Sequence, residues 1–96
     1  MKNPDRKTVA KLTLLPNIGP AMAEDLRLVG IRRPHDLIGK NAYELYAKLC
    51  TKTSQQHDPC VIDVFLAAVD FMEGGEAAPW WKFTAERKKH LQDTVP

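Results

Sequence analysis

Apolar residues return along most of this chain at helical spacing, and proline, glycine or a capping side chain stands at nearly every break between the runs. The first run begins with Asn3 as N-cap, Pro4 at the first helical position and Asp5 near the positive helix end. Val9, Leu12 and the Leu14-Leu15 pair supply its buried side, and Pro16 ends it because a residue before proline is pushed out of the helical region. A second helix starts at Pro20, with Met22, Ala23, Leu26 and Val29 on one side, and Gly30 stops it. Ile31 then falls where a Schellman cap places its apolar contact, back onto Leu26. A short turn of helix is expected over Pro34 to Ile38, bounded by Gly39.

Asn41 followed by Glu44 is a capping-box variant, and Ala42, Leu45, Tyr46 and Leu49 share one face of the helix it opens. Thr51 to His57 is polar and reads as loop. Asp58-Pro59 then opens the most apolar helix, whose Val61, Ile62, Phe65, Ala68, Val69 and Met72 leave a thin polar stripe at Asp63 and Asp70. That helix is expected to be central, its stripe solvated, its end at Gly74-Gly75. The last segment carries Trp80, Trp81 and Phe83, followed by Thr84 as N-cap of a helix to about Leu91. Sustained two-residue alternation is absent, so no strand is expected. The predicted fold is all-α: one domain over residues 1–96, a compact bundle of about five helices.

Composition agrees with a globular domain. The 96 residues are 44% hydrophobic and 27% charged, with fourteen Lys+Arg against twelve Asp+Glu for a formal charge of +2. The longest apolar run, Val64 to Val69, is far short of the roughly 20 residues a bilayer span requires, and the N-terminus lacks an apolar signal core, so the expected address is cytoplasmic. Two cysteines, Cys50 and Cys60, are too few for a secreted disulfide scaffold.

The chemistry that stands out lies between Leu15 and Leu26. Gly19 allows close approach to another surface, Asn17 tolerates a left-handed backbone, and Ile18 between them can plug into the core. Amide protons near Gly19 and at the start of the second helix then face outward at the positive end of a helix dipole, where a phosphate fits. Pro20 removes one donor from that set. The pattern of Leu15, Ile18, Gly19, Ala23 and Leu26 resembles the helix-hairpin-helix family. LPNIGPAMAEDL, the GI at Gly30-Ile31, the DL at Asp36-Leu37, ELYAKLC, HDPCVIDVFLAAVDFMEG and PWW are similar to small bacterial proteins known as mitomycin-resistance or pathogenicity-locus proteins. The hairpin is also similar to that of the C-terminal domain of TfoX-type competence regulators. The resemblance implies one helix-hairpin-helix motif in a SAM-like helical domain that binds DNA.

Basic residues gather as Arg6-Lys7-Lys11, Arg27-Arg32-Arg33 and Arg87-Lys88-Lys89, the second group flanking the hairpin's helix. The expected function is therefore weak, non-sequence-specific binding to the DNA backbone through Asn17, Ile18, Gly19 and Ala21, with help from Arg27, Arg32 and Arg33. Ala21, where DNA-binding hairpins often carry lysine, and the small net charge favour an alternative: a protein-interaction or self-association module that uses Trp80 or Trp81. One tryptophan is expected buried, the other partly exposed. Cys50, His57 and Cys60, with His35, lack a common zinc spacing, and Cys60 reads as a small buried hydrophobe rather than a metal ligand or redox thiol. No cofactor, metal or catalytic residue is expected, and the chain is not expected to be an enzyme.

Overall fold

The computed structural model describes residues 1–94, with side chains through residue 92. The described residues contain helix and turn but no strand, and the all-α expectation holds. Four α-helices form: α1 (Pro20–Leu28), α2 (Ala42–Thr53), α3 (Cys60–Met72) and α4 (Thr84–Thr94), with short 3₁₀ turns at Leu12–Leu14, Pro34–Leu37 and Trp80–Phe83.

α3 is the centre of the molecule because its sequence leaves almost no polar side. Ten of its thirteen residues are buried, including Phe65 and Phe71 at 0 and 1% exposure. Burying a side chain of this size contributes roughly 1.5–3 kcal/mol. α2, α4 and the turns at Pro34–Leu37 and Trp80–Phe83 all pack against α3. Asp58 opens it, its carboxylate accepting the Cys60 amide at 2.8 Å. At its other end Gly74 takes φ +112, the left-handed conformation that lets the Gly75 amide return to the Asp70 carbonyl at 2.8 Å.

The other caps follow the sequence closely. Gly30, at φ +92, lets the Ile31 amide reach the Leu26 carbonyl at 2.9 Å, and both side chains are buried. The Asn41 side chain accepts the amides of Tyr43 and Glu44 at 2.9 and 3.1 Å, starting α2. That helix buries Ala42, Leu45 and Leu49. It runs through Thr53, two residues past the Thr51 at which a loop was expected to begin, because Ser54 provides a left-handed C-cap at φ 52.

Three expectations are corrected. The first helix does not form: one turn, closed by the Val9 amide on the Asp5 carbonyl at 2.9 Å, leads into the 3₁₀ turn at Leu12–Leu14. Val9, Leu12 and Leu15 are all buried, but their spacing of three suits a tight, irregular path laid over the core. Arg6 pins that path to the end of α3, lying over Phe71 at 5.1 Å and donating to the Gly75 carbonyl at 2.7 Å. A segment this short has little helical stability of its own to oppose such contacts.

Second, Asp63 is not part of a solvated stripe. It is fully buried, receiving Arg87 Nε at 2.9 Å, Arg87 Nη2 at 3.3 Å and the Thr84 hydroxyl at 2.7 Å, whereas Asp70 is exposed as expected. Third, Thr84 does not cap α4. Its backbone is already helical at φ −61 and ψ −43, because the preceding 3₁₀ turn runs straight into the helix, and its hydroxyl is given to Asp63 instead.

Candidate functional site

The bend before α1 is made by Asn17, not by Gly19. Asn17 takes φ 68, a left-handed backbone that asparagine tolerates better than other non-glycine residues. Its side chain is also used: Nδ2 donates to the Ala78 carbonyl at 2.8 Å, and Oδ1 accepts the Trp80 amide at 3.2 Å. The bend is thereby tied to the chain leading into the Trp80–Phe83 turn. Ile18 fills the core at 0% exposure, and its amide is spent on the Leu15 carbonyl at 3.2 Å.

Gly19 has the ordinary φ of −94 and is the N-cap of α1. Its lack of a side chain matters differently: a Cβ placed there would meet no atom within 4 Å, so the space beside it is open to an incoming group. The glycine cap offers no side-chain acceptor, which leaves the Ala21 and Met22 amides as orphan donors of the first helical turn. Ala21 is exposed and Met22 half-buried. Lys2 lies against the same bend, its Nζ donating to the carbonyls of Ile18 and Thr13 at 2.6 Å each. This part of the site is small, positive and accessible.

The three arginines that the sequence grouped do not converge on it. Arg27 and Arg32 stand at the opposite end of α1, where they line an open groove of about 710 Å³ with Leu28, Val29, Lys48 and Lys52. Arg33 faces another cavity of about 310 Å³, beside Val9 and His35. Asp36 holds the backbone between them: its Oδ2 accepts the amides of both Arg32 and Arg33 at 3.0 Å, which holds its carboxyl below its ordinary value. Arg27 is shared with Glu24 at 3.1 Å in an exposed pair one turn apart.

Lys48 and Lys52 are the residues that sequence reading missed. They lie four apart on α2, and the signal was present in that spacing, hidden because the reading followed the helix's apolar face and broke it at Thr51. The remaining basic clusters contribute less than their composition suggests. Arg87 is 9% exposed and committed to Asp63, and Arg6 is committed to Phe71 and Gly75.

Among the described residues, the cysteines and histidines belong to no cluster of three that could hold a metal ion. The Tyr46 hydroxyl donates to the His57 carbonyl, and the Thr53 hydroxyl, which donates to Leu49 at 2.8 Å, lies 2.8 Å from His57 Nε2. Cys60 is half-buried, and the Asp58 carboxylate beside it pushes its thiol up, the reverse of what a reactive thiolate requires. Of the tryptophans, Trp80 is half-buried against the core, and Trp81, edge-on to it at 5.7 Å, is 62% exposed.

Comparison with known proteins places these features in a family. The family model described as "Pathogenicity locus" matches residues 5–89, nearly the whole chain. The chain belongs to the pathogenicity-locus family. Among relatives, it is 39% identical over 80 residues to the "Mitomycin resistance protein McrB" of Streptomyces lavendulae, covering 83% of this chain and 76% of that protein. No solved structure matches. The pathogenicity-locus match takes in the bend, α1, α2, α3 and the Trp80–Phe83 turn, so both ends of α1 lie within the shared region, with Lys2 outside it.

Proposed function

We propose that this pathogenicity-locus protein binds the phosphodiester backbone of DNA, weakly and without sequence preference, at the start of α1. The observation that carries the reading is the open approach at Gly19 to two amide donors that no side chain caps. A phosphate oxygen there would accept from Ala21 and Met22 at the positive end of the helix, with the Lys2 ammonium nearby. Arg27 and Arg32, about a helix length away, strengthen the positive field without sharing that phosphate. Affinity on the order of 10⁻⁴ to 10⁻⁶ M at physiological salt, falling steeply as salt rises, is expected of such backbone contacts.

The test is Gly19→Asp. Aspartate suits an N-cap with this backbone, and its carboxylate would take the Ala21 and Met22 amides for itself. Fluorescence anisotropy with duplex and single-stranded oligonucleotides at several salt concentrations should show binding by the parent chain and its loss in the variant, whose melting temperature stays level or rises. Unchanged DNA binding in folded Gly19→Asp would remove the start of α1 as the contact. A second reading, an interaction module without DNA binding, is favoured by the exposed Trp81 and by the groove at the far end of α1. A stable dimer in light scattering, with no oligonucleotide bound at low salt, would support it.

A further inference from the structure

The groove between the end of α1 and the last turns of α2 has a composition that backbone binding does not explain. Four cations, Arg27, Arg32, Lys48 and Lys52, border it, and no carboxylate lines it. Its floor is apolar. Leu28, on the last turn of α1, is 44% exposed beside Val29, and Ala47 faces them from α2. Cations in the last turn of a helix are favourable near its negative end, which accounts for Arg27 and Lys52. It does not account for Arg32 or Lys48, nor for an exposed leucine between them. Among the described residues, Arg27 is the only one of the four in an ion pair, and that pair with Glu24 is exposed and worth little.

We propose that this groove docks an acidic amphipathic helix of a partner protein. The occupant is specified by complementarity. Leucine-like side chains at i and i+4 would cover Leu28 and Ala47, while flanking carboxylates meet Lys48 and Lys52, themselves one helical turn apart. A phosphodiester strand would satisfy the cations and leave the apolar floor wet. Helix-in-groove binding uses both, and the long basic side chains can cover the partner's apolar edge with their methylene stems. The inference is independent of the start of α1, because the groove lies at the other end of that helix.

The probe is a blocked synthetic peptide of Leu, Ala, Glu and Asp, with its leucines on one helical face, labelled for anisotropy and titrated with the full chain. Its controls are the same composition scrambled and a single-stranded oligonucleotide. Binding of the patterned peptide should weaken about tenfold or more in Leu28→Glu and in the Lys48→Glu, Lys52→Glu pair, all surface changes that leave the fold intact. Gly19→Asp should leave it unchanged, which separates this site from the DNA contact. The proposal is overturned if the patterned peptide does not bind or if the scrambled peptide binds equally well. It is also overturned if the groove variants weaken only the oligonucleotide, which would make the groove a nucleic-acid contact.

Discussion

Two parts of this molecule hold positive charge in opposite ways. At the seam of α3 and α4, Arg87 is drawn inside and closed off by Asp63, with the Thr84 hydroxyl completing the carboxylate's partners. At the groove between α1 and α2, four cations stay outside, and the one carboxylate paired with them, Glu24, is itself exposed. A count of basic residues weighs Arg87 the same as each of the four groove cations. Only the groove can attract a ligand, because a charge already neutralised within the fold has little field left to offer. Asp63 also raises the affinity of the Arg87 guanidinium for its proton, so the guanidinium stays charged through the neutral range.

The sharpest way to break the contrast is to remove one partner of the buried pair. Asp63→Ala strands Arg87 against α3, and loss of one member of a buried ion pair costs about 3–5 kcal/mol. For a domain of this size that lowers the melting temperature by more than about 12 °C. The double change Asp63→Leu with Arg87→Met should recover most of the loss, because it strands no charge. A calorimetric melt of Asp63→Ala within a degree or two of the parent would mean that the seam is wetter than its burial implies.

Asn17 comes next, because it joins the bend to the tryptophan segment. Asn17→Ala loses two side-chain hydrogen bonds and places alanine at φ 68, for a combined cost of about 2–4 kcal/mol. Asn17→Gly loses the same bonds but keeps an easy backbone, so urea unfolding should return roughly 1 kcal/mol of that loss. Equal stabilities for the two variants would show that the left-handed backbone at this position costs alanine nothing.

These residues also mark how far the sequence could be read. Caps and stops were legible because they are local: Gly30 with Ile31, Asn41 with Glu44, and Asp58 before Cys60 each act within a few residues. Asn17 was half legible. Its tolerance of a left-handed backbone is intrinsic, but its partners Ala78 and Trp80 lie more than sixty positions away. Asp63 looked like solvent-facing polarity because its helical spacing to Asp70 carries no information about a guanidinium on another helix. The first run failed for a related reason: its apolar residues are core residues, but Arg6 and the end of α3 decide the backbone path. For the site, the bend at Asn17 and the burial of Ile18 were readable, whereas the separation of Arg27 and Arg32 from Arg33 follows from an extended backbone at Arg33 that no local signal in the sequence marks.

The open cations answer a gentler test. Lys48→Glu with Lys52→Glu should change stability by no more than about 0.5 kcal/mol per site, since both are exposed and outside any ion pair among the described residues. The same pair should reduce the salt dependence of oligonucleotide binding only slightly if the first phosphate sits at the start of α1. A melting loss comparable to that of Asp63→Ala would show that these lysines are structural and would erase the distinction between the two regions.

The smallest expected effect is in acid, and it concerns carboxylates that hold backbone rather than guanidinium. Asp58 accepts the Cys60 amide at 2.8 Å, and that bond, followed by its contact with the Cys60 thiol, holds its carboxyl below the ordinary value of 3.8. Asp36 is lowered in the same direction by the Arg32 and Arg33 amides. A carboxyl depressed on folding contributes stability that is fully present above its unfolded value and lost as the pH falls through its folded one. The loss therefore belongs below about pH 4, leaving the neutral range flat. Asparagine keeps the acceptor oxygen but cannot titrate, so Asp58→Asn with Asp36→Asn should be marginally less stable near neutrality and show a shallower acid limb in circular dichroism. If the acid limbs of parent and variant superimpose, the titration that unfolds the chain lies outside these two carboxylates.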